Sequence, residues 1–434
     1  MQPRRRFEHH NHHGSTHHHD GTHHHDGTHH HDGTDNDGSH HDHHSPWQRC
    51  GYGARRDPRH SVSSDVPLIA AAIIVKDEAE HLRRCLASIR VLCDGIVVVD
   101  TGSSDATVEV ALSFGATVLH RPWDGDFSAA RNLGLDAIDA QWILYIDADE
   151  EVQGCDIAAL RNTLTTAQDV VGFTVKFAAR VGWTPYWEHR VWRHRDDVRF
   201  RGVIHETIVP DLRRIVRDEG QRFQRIDLFM QHYGYEGNQR AKHERNLPML
   251  VEQVQHAPRR VYLWNHLGRV YEGLGRPREA EAAWQRGLDI VREDGLREHV
   301  DILVFGSMAM HLIHFGHDAL PIIEEGLALD PQHHTLHLAL ARQRMANSEW
   351  SEAVAPLLAL IDTDDAELNR SVLAYTRDMF TLWPWRMLAD CRFELGEFGQ
   401  AAAAYDRAAL HGADALEMRT KAAASRSLAK AERL

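Results

Sequence analysis

Residues 96–119 read IVVVDTGSSDATVEVALSFGATVL and decide the fold. The apolar run at the start predicts a strand that ends at Asp100. Ser103 or Ser104 can cap the helix that follows, and Thr117–Leu119 predicts another strand. A strand, a helix and a second strand at this spacing are typical of two parallel strands joined by a crossover helix.

The same alternation continues on both sides of this segment. Leu68–Val75 and Trp142–Ile146 predict buried strands, and Glu78–Leu92 and Ser128–Ala137 predict helices. The pattern predicts a mostly parallel sheet with helices on both faces, in which ligands bind beyond the carboxyl ends of the strands. Acidic residues follow the predicted strands at that edge: Asp77, Asp100, Asp147 and Asp149.

The chain after residue 170 changes character twice. Residues 170–235, including Val198–Ile208, are rich in strand formers and are interpreted as the rest of the same domain. From there the chain is helical, and Trp264, Gly268 and Trp284 have the spacing of a tetratricopeptide repeat. Weaker copies are centred on further alanines; with the first copy the series is Ala280, Ala319, Ala353 and Ala401, spaced 39, 34 and 48 residues apart.

The N-terminal region is of low complexity. Seventeen of the first 44 residues are His, and HHHDGT occurs three times in tandem. Such a stretch lacks the apolar residues that would offset the entropy of ordering, so disorder is expected. The His-rich region is either a solvated tail or tag, or a segment that binds metal ions. The predicted domains are therefore a His-rich tail at 1–62, an α/β domain at 63–240 and an α-helical repeat domain at 241–434.

Composition narrows the class of protein. The 434 residues are 42% hydrophobic and 26% charged, with a formal net charge of −14, which argues against a protein that binds duplex DNA. The longest apolar run is too short to span a membrane, and no secretory signal is recognisable. Five cysteines without a C-x-x-C pair predict neither a disulfide framework nor a cysteine zinc site. These features predict a cytoplasmic protein.

The acidic motif at residues 147–150, DADE, predicts a metal site. Two carboxylates one residue apart, where a strand gives way to a loop, can face one Mg²⁺ or Mn²⁺ that keeps positions open for substrate phosphates. Arg131, at the start of a predicted helix, offers a cation for the same phosphates.

Four segments in this order resemble the catalytic domain of family-2 glycosyltransferases with the GT-A fold. They are IVKDEAEHLRRCLASI, VVVDTGSSDATVE, PWDGDFSAARN and WILYIDADEE, and weaker similarity continues through RFRGVIHE at 199–206 and HYGY at 232–235. The resemblance is to bacterial members that carry tetratricopeptide repeats behind the catalytic domain. It implies a GT-A domain followed by helical repeats, and a nucleotide-sugar donor that is most often a UDP-sugar.

The resemblance also implies roles for individual residues. Asp77, Asp100, Arg131 and Asp147 would bind the nucleotide-sugar, and Asp149 and Asp147 would hold the metal, with Asp149 the direct ligand. Many relatives have two successive acidic residues where this chain has Asp100-Thr101, but the repeat-bearing subgroup resembles this chain in having Thr.

Further residues are assigned with an alternative beside each. Glu206 is the candidate catalytic base, or else an ion-paired structural residue. His232 is a third metal or diphosphate ligand or a hydrogen-bonded structural His, and His205 is an alternative for the same role. Aromatic faces suit sugar rings, so a group of tryptophans is expected either near the acceptor or in the core: Trp183, Trp187 and Trp192.

The sequence thus predicts a metal-dependent inverting glycosyltransferase that uses Mn²⁺ or Mg²⁺. Its acceptor would be a peptide, or a glycan or lipid-linked glycan, recruited directly or through a protein partner by the repeats. The competing hypothesis is a catalytically degenerate, nucleotide-binding scaffold whose repeats mediate protein–protein interaction.

Overall fold

The computed structural model describes residues 66–234, 239–368, 371, 373–412 and 414–432. The predictions for the His-rich tail, and for Tyr235 of the HYGY segment, lie outside these residues. The four cysteines in the described part of the chain are free thiols.

One eight-stranded sheet forms the first half of the described chain, with strand order β3-β2-β1-β4-β7-β6-β8-β5. The strands β3, β2, β1 and β4 pair in parallel, whereas β7 joins this group antiparallel to β4. The parallel segment confirms the α/β prediction. The strands are β1 Ile69–Val75, β2 Gly95–Asp100, β3 Thr117–His120, β4 Trp142–Tyr145, β5 Glu150–Gln153, β6 Val170–Ala178, β7 Tyr186–Arg193 and β8 Arg222–His232.

Five helices connect and cover these strands. They are α1 Ala79–Ile89, α2 Thr107–Ser113, α3 Phe127–Asp136, α4 Ile157–Thr166 and α5 Val209–Glu219. Side chains of β1 alternate between the faces of the sheet: Ile73 packs in one core cluster with Leu86 of α1, and Ala72 packs in another with Leu135 of α3 and Leu212 of α5. The sheet therefore has helices on both faces, as the sequence predicts.

The parallel register brings the strand ends to one edge. Val75 at the end of β1 lies opposite Asp100 at the end of β2, and Ala72 lies opposite Tyr145 at the end of β4. The Thr101 N–H donates to the Val75 carbonyl at 2.9 Å. The loops after β1, β2 and β4 are therefore neighbours.

One local prediction, the cap of the second helix, was wrong. Helix α2 begins at Thr107 without a side-chain cap, because the serines expected to cap it serve the loop after β1 instead. The Asp77 N–H donates to Ser103 Oγ, and the Ser104 N–H and hydroxyl donate to Asp77. The segment 198–208, although rich in strand formers, is a loop with one bridge, between Arg201 and Thr207.

The second half of the described chain is helical. Its α-helices are α6 Gln239–His256, α7 Val261–Gly273, α8 Pro277–Asp294, α9 Leu303–His314, α10 Leu320–Leu329, α11 His334–Ala346, α12 Trp350–Ile361, α13 Asp365–Leu368, α14 Leu382–Glu394, α15 Phe398–Ala408 and α16 Ala415–Ala431, with 3₁₀ turns at His299–Ile302 and Arg377–Met379. All four alanines that mark the predicted repeats are fully buried: Ala280, Ala319, Ala353 and Ala401. They lie at the starts or within the second helices of the pairs α7–α8, α9–α10, α11–α12 and α14–α15. This arrangement confirms the repeat prediction. Among the described residues, no helix is long and apolar enough to cross a membrane.

The helical half packs directly on the sheet half. Ile204, in the loop before α5, shares a core cluster with Leu250 of α6 and Leu263 of α7. A second contact joins the β6–β7 turn to a distant segment, because the Thr184 N–H donates to the Tyr375 carbonyl at 2.7 Å and the Tyr375 N–H donates to Thr184 Oγ1 at 2.9 Å. Buried apolar contacts and paired backbone groups both hold the repeats against the sheet domain.

Replacing Gly268 with Ala should destabilise the protein, because helices α7 and α8 pack closely at this position. A Cβ at Gly268 would lie 2.7 Å from Trp284 Cδ1, and Trp284 is almost fully buried. Overpacking of this kind costs about 1–3 kcal/mol in the free energy of unfolding. Urea denaturation followed by circular dichroism measures the change.

Gly399→Ala is the matched control. It is an exposed helical position whose added Cβ would meet no atom within 4 Å, so the free energy of unfolding should stay unchanged or rise by up to about 1 kcal/mol. An equal change in the free energy of unfolding at the two glycines would show that a Cβ at Gly268 does not clash with Trp284.

Candidate active site

A cavity of about 320 Å³ opens at the carboxyl ends of the parallel strands. The loops after β1, β2 and β4 supply its floor, and Trp123 and Phe127 form an aromatic wall with ring centroids 4.6 Å apart. Its charged lining mixes cations and carboxylates: Lys76, Arg131 and Arg245 with Glu78, Asp147 and Asp149. Such a lining suits an anionic ligand whose charge is shared between protein cations and a bound metal ion.

Arg131 connects two carboxylates at this cavity. Its Nη2 lies 2.9 Å from Asp147 Oδ1, and its Nε donates to Glu206 Oε1 at 2.5 Å. The guanidinium is only 8% exposed and stacks 4.4 Å from the centroid of the Tyr145 ring. Burial alone would lower the pKa of Arg131, but Asp147, Tyr145 and Glu206 raise it, so the side chain stays charged. The sequence-predicted residues Arg131, Asp147 and Glu206 thus lie together.

A second buried ion pair, between Arg190 and Glu150, fixes the DADE loop. Arg190 of β7 makes two hydrogen bonds to Glu150, at 3.0 and 2.8 Å, and Glu150 Oε2 accepts the Asp147 N–H at 2.8 Å. Burial raises the pKa of Glu150 against the opposing effect of the Arg190 charge. Glu150 therefore fixes the backbone that carries Asp147.

Asp149 and His232 contact each other in the lining of the cavity. Asp149 Oδ2 lies 3.1 Å from His232 Nε2, while His232 Nδ1 lies 3.0 Å from the Ala179 carbonyl. Desolvation opposes the charged forms of both groups, but their mutual contact outweighs it, lowering the pKa of Asp149 and raising that of His232. The Ala179 carbonyl requires a proton on Nδ1, so a neutral His232 presents an Nε2 lone pair toward Asp149.

These donors suit a divalent cation in part. Among the described residues, no three His, Cys, Asp or Glu side chains are already arranged around one metal position. Asp147 Oδ1 is paired with Arg131, which leaves Asp149 Oδ2 and His232 Nε2 as the side-chain donors that point at each other. One carboxylate and one imidazole fit Mn²⁺ or Mg²⁺ provided that substrate phosphates supply further ligands.

Asp77 and Asp100 lie beside the cavity and are not among its described lining residues. Asp100 is buried, and its carboxylate accepts the N–H groups of Gly102 and Ser103 at 3.1–3.3 Å. Asp77 has a positive φ of 52° and its carboxylate accepts from Ser104, which lowers its pKa. Both carboxylates shape the loops that border the cavity.

A second cavity of about 400 Å³ adjoins the first. The two share Phe127, Arg131 and Asp147, and the second adds Glu188 and Glu206 from the sheet domain. Its opposite wall comes from the helical half, with Asn246, Arg260 and Tyr262. Glu206 thus lies on the far side of Arg131 from Asp149.

The predicted histidine at 205 lines this second cavity rather than the first. It adopts a positive φ of 52°, and its ring lies 4.1 Å from that of His266 and 5.5 Å from that of Tyr262. Desolvation, with nearby Arg260 and Arg269, lowers the pKa of His205 to about 4. The structure thus places His232, and not His205, beside Asp149.

The Glycosyl transferase family 2 model matches residues 71–262. This range includes strands β2 to β8, β1 from Ala71 onward, helix α6 and the residues that the two cavities share. Residues 71–262 form a family-2 glycosyltransferase domain. A TPR repeat-containing protein of Synechococcus elongatus is 34% identical over 228 residues, covering 51% of this chain and 56% of that protein. The glycosyltransferase SunS of the SPbeta prophage in Bacillus subtilis is 27% identical over 258 residues, covering 56% of this chain and 58% of SunS. The chain thus spans little more than half the length of these curated relatives.

Solved structures show weaker likeness. Glucosyl-3-phosphoglycerate synthase from Mycobacterium tuberculosis has a TM-score of 0.35 at 13% identity, covering 44% of this chain and 79% of that one. TarS 1–349 of S. aureus has a TM-score of 0.31 at 13% identity, covering 65% and 91%. A TPR protein of Thermus thermophilus has a TM-score of 0.30 at 18% identity, covering 43% and 91%.

The tryptophans predicted to group near an acceptor are separated in the family-2 domain. Trp192 is fully buried in the core, and Trp187 lies between Lys176 and Arg225. Trp183, in the β6–β7 turn, lies against the helical half. Trp192 thus takes the core position that was one of the two alternatives, whereas the expected grouping does not form, because strand alternation sends Trp187 and Trp192 to different surroundings.

Sequence reasoning missed Arg190 and Arg245. Arg190 lies 40 residues from Glu150, within the pattern of a strand, and no local signal marks its partner. Arg245 belongs to α6, in the segment predicted to begin the repeats, yet it lines the cavity of the family-2 domain. Trp123 stands in the quoted segment PWDGDF, so its place in that motif was the available signal.

Replacing Glu150 with Gln should strongly destabilise the family-2 domain. The change keeps the shape of the side chain but removes the carboxylate that makes two hydrogen bonds to the Arg190 guanidinium, which is 3% exposed and keeps the longer contact to Glu188 at 3.3 Å. Breaking a buried ion pair in this way costs about 3–5 kcal/mol. Urea denaturation measures the loss.

The neighbouring substitution Glu151→Gln provides the comparison. Glu151 is part-exposed, so the expected change is within about 0.5 kcal/mol. A small effect at Glu150 would mean that the pair with Arg190 contributes little to holding the DADE loop.

Proposed function

We propose that this protein is a metal-dependent inverting glycosyltransferase that moves a sugar from a nucleotide-diphosphate donor, a UDP-sugar, to a peptide, glycan or lipid-linked glycan acceptor. The observation that carries the proposal is the pair of adjoining cavities that share Arg131 and Asp147. One holds Asp149 and His232, and the other holds Glu206. A donor and an acceptor can thus meet at the shared residues.

The first cavity supports donor binding. Arg131, Lys76 and Arg245 can face the diphosphate, while Trp123 and Phe127 offer aromatic faces to a base or sugar. Asp149 and His232 would hold Mn²⁺ or Mg²⁺, an ion that neutralises charge on the leaving diphosphate when bound. Asp100 and Asp77 would act by shaping the nucleotide loops.

The second cavity supports proton removal. Glu206 is the candidate base, since its carboxylate lies beside Arg131 and so beside the position where donor and acceptor meet. Arg131 orients Glu206 through its Nε and holds Asp147 through its Nη2. A carboxylate on the side opposite the leaving group takes the proton of the attacking hydroxyl, which gives inversion at the anomeric carbon.

The division into a catalytic domain at 63–240 and repeats at 241–434 belongs to the same proposal. Arg245, Asn246, Arg260 and Tyr262 come from beyond residue 240 and line the two cavities. The first helices of the repeat half would therefore complete the acceptor side and position an acceptor or a partner protein.

Asp149→Ala should abolish transfer and weaken Mn²⁺-dependent UDP binding by about tenfold or more, since even indirect metal partners affect affinity on that scale. The fold should stay largely intact, because a carboxylate at a cavity wall contributes little packing. Calorimetric titration of UDP with and without Mn²⁺ measures the binding, and circular dichroism checks the fold.

Asp218→Asn, an exposed position of α5 paired with Arg217, is the control and should leave UDP binding unchanged. Cation-independent UDP binding by the wild-type protein, at equal affinity in Asp149→Ala, would contradict the metal role. UDP binding without any turnover of UDP-sugars would favour the scaffold hypothesis.

Glu206→Gln should slow release of UDP from UDP-glucose or UDP-N-acetylglucosamine by about 10²–10⁴-fold, the usual contribution of a general base. UDP affinity should change little, because the amide oxygen can still accept from Arg131 Nε.

Glu188→Gln tests the second glutamate that lines the same cavity. Glu188 is held by the Tyr186 hydroxyl at 3.1 Å and by Arg190 at 3.3 Å, which ties it to the supporting ion pair. Near-normal turnover in Glu206→Gln, with loss in Glu188→Gln, would assign the base to Glu188 instead.

A further inference from the structure

Gly234 lies against the carboxylate and the imidazole that are the candidate cation donors. It is buried and comes two residues after His232, the last residue of strand β8. A Cβ added at Gly234 would overlap Asp149 Oδ2, and it would lie 2.7 Å from Asp149 Cγ and 3.0 Å from His232 Nε2. The space that a side chain would need at residue 234 is therefore taken by the Asp149 carboxylate.

The backbone conformation at Gly234 does not itself require glycine. Its φ lies outside the left-handed region, unlike the φ of Gly125 or Gly202. An alanine could therefore adopt the same backbone conformation without strain. The constraint on residue 234 is one of space, and the atoms that impose it belong to Asp149 and His232.

The backbone around Gly234 is held by contacts with three other segments. The Tyr233 N–H donates to the Asp149 carbonyl at 2.9 Å, and the Tyr233 hydroxyl accepts from Gln153 Nε2 at 2.7 Å. The Gly234 carbonyl accepts from Lys242 Nζ of α6. These contacts oppose a movement of the backbone away from an added methyl group.

The Asp149 carboxylate can yield more easily than this backbone. It ends a short side chain, and rotation about χ1 moves both of its oxygens without any change in the main chain. The oxygen that a Cβ at residue 234 would overlap, Oδ2, is the one that lies 3.1 Å from His232 Nε2. A methyl group at this position would therefore separate Asp149 from His232.

We propose that Gly234 is a positioning residue of the cation site. Because it has no side chain, Asp149 Oδ2 and His232 Nε2 can converge, and this convergence sets the strength of cation-dependent nucleotide binding. Gly234 acts through these two side chains. The inference rests on the proposed function, in which Asp149 and His232 hold Mn²⁺ or Mg²⁺. Residues that orient metal ligands typically change metal affinity by about 10–100-fold when they are replaced.

The test is a calorimetric titration of UDP into the full chain, with and without Mn²⁺, for the wild type and Gly234→Ala. With Mn²⁺ present, Gly234→Ala should bind UDP about 10–100-fold more weakly than the wild type. Without Mn²⁺, its UDP affinity should stay close to that of the wild type, because the other lining residues of the first cavity are unchanged. A general structural defect would weaken UDP binding under both conditions.

Gly399→Ala in α15 is the matched control, since a Cβ added there would meet no atom within 4 Å. It makes the same chemical change at an exposed position of the helical half. Its UDP affinity should equal that of the wild type, both with and without Mn²⁺.

The double variant Asp149→Ala/Gly234→Ala shows which atoms the added methyl group meets. Asp149→Ala removes Oδ2 and Cγ, and with them the overlap at residue 234. Gly234→Ala should therefore lower the urea midpoint of unfolding in the wild-type background and leave it nearly unchanged in the Asp149→Ala background. If Gly234→Ala alone does not fold, recovery of folding in the double variant carries the test.

Wild-type UDP affinity of Gly234→Ala in the presence of Mn²⁺ would overturn the proposal, as would an equal loss of affinity with and without Mn²⁺. An equal fall of the urea midpoint in both backgrounds, or a double variant that does not fold, would also overturn it, because the overlap would then not be with Asp149. Failure of the proposed function is seen in the wild type itself: UDP binding that does not respond to Mn²⁺ would overturn the metal role and the role of Gly234 together.

Discussion

The structure depends on a buried guanidinium that holds two carboxylates from distant parts of the chain. Arg131, near the start of α3, pairs with Asp147 after β4 and with Glu206 in the loop before α5. Burying the Arg131 and Glu206 charges is costly unless they are paired and hydrogen-bonded, and the half-buried Asp147 completes the pairing. The position of every neighbouring loop is therefore constrained by the need to keep these groups together. The same constraint places the two cavities side by side.

The buried ion pair between Arg190 and Glu150 fixes the position of the DADE loop more than it stabilises the fold. A buried Arg–Glu pair is often no more stabilising than apolar residues of the same volume, because desolvation offsets the attraction. Here Glu150 also accepts the Asp147 N–H, so its carboxylate fixes the loop between Asp147 and Asp149. Arg190 in turn stacks 4.4 Å from the rings of Tyr145 and Phe177. The Glu150 carboxylate thus holds the backbone at Asp147 in one position, which an apolar side chain could not do.

The sequence predicted most of the fold because its decisive signals are local. Strand runs, helical periodicity and the buried repeat alanines depend on neighbours within a few residues, and the predicted elements of the sheet domain were found within a few residues of their expected bounds. Of the four acidic residues that the strand-end rule named, Asp147 and Asp149 line the cavity, whereas Asp77 and Asp100 lie beside it. The caps at Ser103 and Ser104 failed because Asp77, from another loop, takes both serines. Arg190 and Arg245 were missed for the same reason: each acts on residues that only the tertiary fold brings near.

The interface between the sheet and the helices explains why the repeats belong to the candidate site. Glu206 follows His205, a non-glycine residue in the left-handed region, where a backbone conformation persists only when its surroundings impose it. Those surroundings are His266 and Tyr262 of α7, packed against the His205 ring. The helix thus holds the loop that carries the candidate base.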